Sequence, residues 1–387
     1  MSDREVYIVE GLRSAIGKKN GSLNEVRTDE LVGRVMEEVV NRSGIDKNLI
    51  EHSVMGSVVQ IQDQAFCLGR QAALIAGLPY TVAGCTIDQA CGSSMQALHF
   101  GAQAIMAGDN DCIIVSGAEN MSRCPMGANY KDLEHSRKIL DNYEIVPQGM
   151  SAEYVAAKYG FTREELDQLS VDSHARAAAA IENGWFKNEI VPIEIPQEDG
   201  SVKIFDTDEC VRPGTSMEKL AGLKPIFKPD GGVIHAGNSS QISAGAASML
   251  IMSGDLVKKL GLKPKFKIIA RSVIGSDPTL MLTGPIPATF MALEKAGLSI
   301  NDIDLFEVNE AFAPVPLAWA KETGADMSKM NIVGSGIALG HPLGATGCRL
   351  VITLMHQMER LGLKYGLATQ CEAWGQANAT IIERVEW

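Results

Sequence analysis

The sequence predicts an α/β protein with mostly buried sheets, built from two similar halves and a segment inserted into the first. Three observations predict it. Short apolar runs alternate with segments of helical period, the pattern of strands joined by helices. Glycine is abundant, with 38 residues, and sits where one kind of run gives way to the other. A helix-end, turn and strand pattern also recurs at a fixed spacing. Gly44-Ile-Asp-Lys-Asn-Leu-Ile-Glu-His-Ser-Val-Met-Gly56 lines up with Gly297-Leu-Ser-Ile-Asn-Asp-Ile-Asp-Leu-Phe-Glu-Val-Asn309. The same spacing carries Cys91 to Gly344, beside His341, and Ala118 close to Cys371. A duplication of this kind predicts equivalent loops meeting at one site.

In chain order, Val6–Val9, Cys112–Val115 and Ala247–Met252 read as buried strands, because they are short and continuously apolar. Residues 30–41, 94–107, 163–183, 288–296 and 347–360 read as helices. The stretch from about 120 to 235 is more polar and holds Pro147, Pro192, Pro196, Pro213, Pro225 and Pro229. It reads as an insertion over the main body. The expected division is therefore 1–119 with 236–263 as the N-terminal half, 120–235 as the insert, and 264–387 as the C-terminal half.

Composition narrows the function. Apolar residues form 45% of the 387 and charged residues 21%, so the chain can bury real cores and is not disordered. The net charge of −12 argues against a nucleic-acid partner, though not against a local basic patch for a small anion. No apolar run reaches 18 residues, which predicts no membrane span. The first residues lack the apolar core and cleavage pattern of a leader, so the expected location is the cytoplasm. Eight cysteines are scattered with no C-x-x-C pair, which argues against a zinc ribbon and a disulfide scaffold; no metal site is expected.

Four places carry candidate chemistry. In Asp88-Gln-Ala-Cys91-Gly-Ser-Ser, a strand-like stretch runs into a turn and then a helical period. That sets the Cys91 thiol at a helix N-terminus, where partial positive charge is expected to lower its pKa. In Gly340-His341-Pro342-Leu-Gly344, the imidazole is presented by a glycine-rich loop that proline stiffens, which suits a base. The loop lacks the Lys-Ser/Thr ending of a phosphate-binding loop. Cys371 ends a strand in Leu367-Ala-Thr-Gln-Cys371; on spacing alone an inert thiol is the commoner reading. Asn309 follows the strand Leu305–Val308, placed either to donate to an oxyanion or to cap a helix.

Together these blocks resemble the thiolases, the acyl-CoA C-acyltransferases. The resemblance spans essentially the whole chain: Asp88-Gln-Ala-Cys91-Gly-Ser-Ser, Gly149-Met-Ser-Ala-Glu153, Arg212-Pro-Gly-Thr215, Ala236-Gly-Asn-Ser-Ser240, Asn309-Glu-Ala-Phe-Ala313 and Gly340-His-Pro-Leu-Gly344. It implies a duplicated fold of two βαβαβ halves, layered α/β/α/β/α, with a loop domain in the first half. It implies Cys91 as nucleophile, His341 as base and Cys371 as acid/base. Asn309 would complete one oxyanion hole with His341, through a held water. The main-chain N–H groups of Cys91 and Ala373 would form the other. Coenzyme A would be a substrate, with no permanently bound cofactor. Gly149, Met150, Arg212, Ser240, Ala311 and Phe312 would contact it, with Arg212, Lys219, Lys224 and Lys228 supplying a basic patch. Homodimers or homotetramers are implied, and a small accessory protein is one implied partner.

The departures bear on substrate. The family usually shows Cys-x-Gly-Gly-Gly where this chain has Cys371-Glu-Ala-Trp-Gly375, and Ala244 stands where aspartate is common. Pro147-Gln-Gly149 replaces the His-Met-Gly of acetoacetyl-specific biosynthetic members. The resemblance thus favours a degradative 3-ketoacyl-CoA thiolase of fatty-acid β-oxidation type. Three alternatives stand beside it: an acetoacetyl-CoA-specific acetyltransferase, a thiolase-like subunit for a bulky aromatic or dicarboxylic acyl-CoA, and a non-catalytic acyl-CoA binder.

Overall fold

The computed structural model describes residues 4–387. In the first half, β1 (Val6–Ser14), β2 (Gly17–Lys18), α1 (Thr28–Ser43), β3 (His52–Gly56), α2 (Leu68–Ile75), β4 (Ala83–Ile87), α3 (Ser93–Ala107) and β5 (Cys112–Asn120) follow in order. The middle of the chain holds α4 (Arg137–Leu140), α5 (Gln148–Tyr159), α6 (Arg163–Glu182), β6 (Ile190–Val191), a small hairpin β7 (Ile193–Pro196) with β8 (Val202–Phe205), and α7 (Met217–Ala221). The chain then re-enters the first half through β9 (Ser243–Ser253) and α8 (Gly254–Leu260). The second half comprises β10 (Phe266–Gly275), α9 (Pro285–Ala296), β11 (Leu305–Val308), α10 (Pro314–Thr323), α11 (Gly336–Leu339), α12 (Leu343–Leu361), β12 (Tyr365–Glu372) and β13 (Gln376–Arg384).

The strands lie in the order β11-β12-β13-β10-β1-β9-β5-β3-β4. Read outward from the central antiparallel pair β1·β10, the two sides match. β1 pairs β9 and β10 pairs β13, both antiparallel. β9 pairs β5 and β13 pairs β12, again antiparallel. β5 pairs β3 and β12 pairs β11, both parallel. The recurrence in the sequence is this symmetry. Gly44 and Gly297 end α1 and α9 in the left-handed conformation, with φ of 67° and 66°. A single 3₁₀ turn and then a strand follow each of them.

The helices complete the layers. α1 covers one face of the first half with Leu31, Val32, Val35, Met36, Val39 and Val40, spaced so that one stripe is apolar. α9 packs on β10 and β13 of the second half. Between the two halves run α3 and α12, which touch each other and strands of both. Their approach needs glycine: a Cβ added at Gly347 would collide with the backbone N of Met95. Because α12 is covered on both sides, residues 343–355 are all buried. The N-termini of both central helices therefore open towards the same place. No helix among the described residues is long and apolar enough to cross a membrane.

Candidate active site

Cys91 sits in the turn between β4 and α3. That turn is tied by its own side chains: Asp88 Oδ1 accepts from Ala90 N at 2.8 Å, and Ser93 Oγ accepts from Gln89 N at 2.9 Å while donating to Ala90 O at 2.6 Å. Ala90 holds a left-handed φ of 47°, unusual for a residue with a Cβ. The thiol is buried, at 5% exposure, against Met121, Leu343 and Val58. Its location at a helix N-terminus is as expected, but the expected drop in pKa is not found. Burial above all, then the Glu372 carboxyl and more weakly Glu119, together push the thiol up to about 12, against a hydrogen bond with Gln148 and one with the backbone. Desolvation of a closed pocket outweighs the fractional charge of a helix end.

His341 is presented between Gly340, at φ 99°, and Pro342. Its Nδ1 lies 2.6 Å from Thr346 Oγ1, and that hydroxyl donates to Pro342 O at 2.9 Å. With its one proton given to Pro342, Thr346 can only accept from the ring, so Nδ1 carries the hydrogen and Nε2 presents a lone pair. Nε2 faces Asn309 Nδ2 at 3.3 Å. Burial, with a smaller contribution from the Arg349 charge, depresses the imidazole pKa to about 3. The ring is neutral at physiological pH.

Asn309 is not a helix cap: α10 begins at Pro314 and its cap is Ala313. Its backbone N bonds Thr369 O at 3.0 Å, and its buried Oδ1 has no protein partner. The next residue fixes the loop. Glu310 accepts from Ser173 Oγ at 2.6 Å, Asn331 Nδ2 at 3.0 Å and Ile337 N at 3.2 Å. Glu119 does the same for the first half, accepting from Val58 N, Val59 N and Gly344 N at 2.9 to 3.1 Å. It thereby ties the loop that bears His341 to the loop after β3.

Cys371 ends β12, fully buried among Ala311, Ala313, Ile337 and Met281. Burial raises its thiol well above the ordinary value, and the next contribution is the charge of Cys91. The two sulfurs thus lie within electrostatic reach of each other, although they are distant along the chain. Glu372 follows, with no exposed surface, then the half-buried Ala373 and the exposed Trp374, which holds φ 66° and meets His135 edge-on at 5.0 Å.

A cleft of about 350 Å³ opens in front of this cluster, lined by Arg212, Thr215, Lys219, Leu223, Ser239 and Gln241 among others. Gln241 joins cleft to site: its backbone O accepts from His341 N at 3.3 Å, and its side chain donates to Cys210 O and Ile337 O. Of the six expected coenzyme A contacts, Arg212 lines the cleft and Ser240 is adjacent to it, bonded to Ala311 O. Gly149 and Phe312 gather instead around Phe227, whose ring fills the space a Cβ on Gly149 would need. Met150 is half-buried one residue along α5. Lys224 and Lys228 are exposed and line no part of the cleft. Sequence reasoning missed Thr346, Gln148 and Glu119. Thr346 was the findable one, a hydroxyl one helical turn after Pro342 in the motif that holds His341.

Comparison with known proteins gives a consistent result. The model "Thiolase, N-terminal domain" matches residues 6–255, and "Thiolase, C-terminal domain" matches residues 262–384. The chain is 43% identical to a steroid 3-ketoacyl-CoA thiolase of Mycobacterium tuberculosis, over 98% of this chain and 94% of that one. It is 42% identical to a 3-ketoacyl-CoA thiolase of Klebsiella pneumoniae, over 98% and 100%. It is also 42% identical to an acetyl-CoA acetyltransferase of Pseudomonas aeruginosa, again over 98% and 100%. The crystal structure of the Bacillus anthracis acetyl-CoA acetyltransferase superposes with a TM-score of 0.91 at 38% identity, covering 99% of this chain and 100% of that one. Human mitochondrial 3-ketoacyl-CoA thiolase gives 0.91 at 34%, covering 99% of each.

Proposed function

Because the chain belongs to the thiolase family, we propose that it cleaves 3-ketoacyl-CoA through an acyl group carried on Cys91. It is an acyltransferase, and coenzyme A enters as a substrate, with no resident cofactor. One observation carries the assignment of roles. A neutral imidazole with its lone pair on Nε2 is presented by the loop whose Leu343 packs on Cys91, and the buried Cys371 senses the charge of Cys91.

In the degradative direction, Cys91 Sγ attacks the 3-keto carbon and its proton passes to His341 Nε2. The thiol is held protonated by burial, so the proton leaves as the bond forms, not before. The C2–C3 bond then breaks, Cys371 gives its proton to C2, and acetyl-CoA departs. The second coenzyme A gives its thiol proton to the Cys371 thiolate and attacks the acyl group. Cys91 leaves and recovers its proton from His341, so the kinetics are ping-pong. The two steps place charge on different oxygens and need two donor sets. We assign His341 with a water held by Asn309 to one, since the unpartnered Asn309 Oδ1 can accept from such a water, and the N–H groups of Cys91 and Ala373 to the other. A single such donor typically lowers a barrier by about 3–4 kcal/mol.

The cleft with Arg212 and Lys219 is the proposed seat of the coenzyme, since two cations at its mouth suit an anionic ligand despite the acidic chain. The named relatives support a degradative 3-ketoacyl-CoA substrate, with a broad or specialised acyl chain. We further propose a homodimer or homotetramer. Support comes from β4, whose one neighbour is β3, and from Phe66, Leu74, Ile75 and Tyr80 exposed nearby. The eight free cysteines suit a reducing cytoplasm.

The test is a Cys91→Ala protein assayed for thiolysis over acyl chains of different shape, with mass spectrometry of the wild-type protein trapped with substrate. Loss of turnover and an acyl adduct on the Cys91 peptide are expected. Undiminished turnover by the variant would sink the assignment.

A further inference from the structure

Glu372 occupies the position after the second cysteine, and no step above uses it. Its carboxyl has no exposed surface. Oε2 accepts from Gln89 Nε2 at 2.8 Å, across from one half of the molecule to the other. Oε1 has no partner, yet it lies directly against the nucleophile turn, where a Cβ added at Gly92 would collide with it. From the next strand, Asn378 Nδ2 donates to Gly92 O at 3.1 Å. The β12–β13 hairpin therefore grips the Cys91 turn at Gln89 and at Gly92. Glu372 forms no ion pair with any cation among the described residues.

We propose that Glu372 is a positioning residue for Cys91 and that its ionisation switches the reactivity of the Cys91 thiol. As the neutral acid it braces the turn through Gln89 and adds no charge of its own beside Cys91. As the carboxylate it sets a negative charge beside the sulfur that has to become negative. The environment supports this. Burial lifts the carboxyl to about 8, against the pull of the Gln89 hydrogen bond. At neutral pH it is mostly protonated, and the hydrogen belongs on the otherwise unpartnered Oε1.

The other ionisable groups facing this pair are few. Cys371 adjoins on β12. His341, the proposed base, is held by Thr346 and Asn309 and stays neutral, because burial depresses its imidazole to about 3. Asp88, on the turn itself, is occupied by Ala90 N. Glu119, from β5, is occupied by three backbone N–H groups and Gln64. Gln148 from α5 and Asn378 from β13 are uncharged. Glu372 is therefore the carboxyl at Cys91 without a main-chain donor.

This inference rests on Cys91 being the nucleophile, and the test separates the two. Alkylation of Cys91 by iodoacetamide is followed by peptide mass spectrometry from pH 6 to 10, in the full-length wild type and in Glu372→Gln, with thiolysis measured in parallel. In the wild type the rate should flatten above about pH 8. In E372Q it should keep climbing with pH and exceed the wild type at pH 9 by about tenfold or more, since one facing charge is gone. Superimposable profiles would overturn the proposal. If E372Q does not accumulate, Gln89→Leu decides: losing that donor should move the flattening to higher pH, and an unmoved profile would also overturn it. A Cys91→Ala protein without turnover, alongside unchanged E372Q and Q89L profiles, would remove the role of Glu372 and leave the thiolase reading intact. A Cys91→Ala protein with full turnover would remove both.

Discussion

The two cysteine turns, Cys85–Ser94 in the first half and Gln370–Gln376 in the second, face one another and solve opposite problems. Each contains one non-glycine residue in the left-handed region, Ala90 at φ 47° and Trp374 at φ 66°. Each buries its sulfur and raises the thiol. The surroundings differ. Cys91 packs on Met121, Leu343 and Val58 but also has polar neighbours, with Glu372 and Glu119 nearby and Gln148 bonded to it. Cys371 lies on an apolar floor of Ala311, Ala313, Ile337 and Met281. A sulfur that must attack needs a fixed direction, and hydrogen-bonded neighbours supply direction. A sulfur that must hold a proton until a carbanion forms needs dryness, and alkyl groups supply that. One physical force, burial, raises both thiols, and the polar strut stands beside the one proposed to react first.

The sharpest way to break this comparison is Cys371→Ala. Thiolysis should fall by about 10⁴-fold, because the residue acts in both half-reactions. Alkylation of Cys91 should stay within a small factor of wild type, since that reaction needs no acid. Equal loss of both would show that the two turns are one structural unit, with no division of labour. Asn309→Ala comes next. Removing one oxyanion partner should lower kcat/KM by about 10²–10³-fold. Its effect should fall on kcat, with Cys91 alkylation again unchanged. A rise in KM alone would place Asn309 in binding.

The sequence made much of this visible, for local reasons. Strands are legible because they are short, buried and largely apolar, the central helices by their helical period, and the halves because Gly44 and Gly297 must both turn left-handed at helix ends. Cys91, His341 and Asn309 stand out as candidates because each lies at a junction between elements, whereas Cys371 becomes one only through the family resemblance. The thiol's protonation state was not legible. A helix N-terminus predicts a lowered pKa, whereas the depth of the pocket and the approach of Glu372 are set by contacts between residues 283 apart. The cleft proposed for the coenzyme was legible only in part for the same reason. Arg212 reaches it, while Gly149 and Phe312 turn to Phe227.

A stability measurement sharpens the contrast at smaller scale. Glu372 has its folded pKa raised from 4.5 to about 8. Between those values the unfolded chain is ionised and the folded protein is not, so the folded state binds more protons and stability falls as pH rises through that window. The wild type should lose about 1.4 kcal/mol per pH unit relative to Glu372→Gln there. Chemical denaturation of both proteins at pH 5, 6 and 7 checks this. Parallel curves would mean that the carboxyl is already ionised in the fold, contrary to the neutral strut.

The smallest effect is expected at the strained positions. A bulky side chain in the left-handed region costs about 1–2 kcal/mol, which Trp374→Gly would relieve. The same change forfeits the edge contact with His135, worth about 0.5–1.5 kcal/mol, and adds about 0.5–1 kcal/mol of backbone entropy to the unfolded chain. The terms nearly cancel, and thermal unfolding should move by only about 2 °C. Ala90→Gly relieves similar strain without forfeiting an aromatic contact, so it should stabilise slightly more than W374G does. The order of the two melting points is the readout. If W374G were much the less stable, by more than about 3 kcal/mol, Trp374 would be a packing anchor for the segment bearing His135. The second turn would then be held by a large exposed side chain, as the first is held by a buried carboxyl.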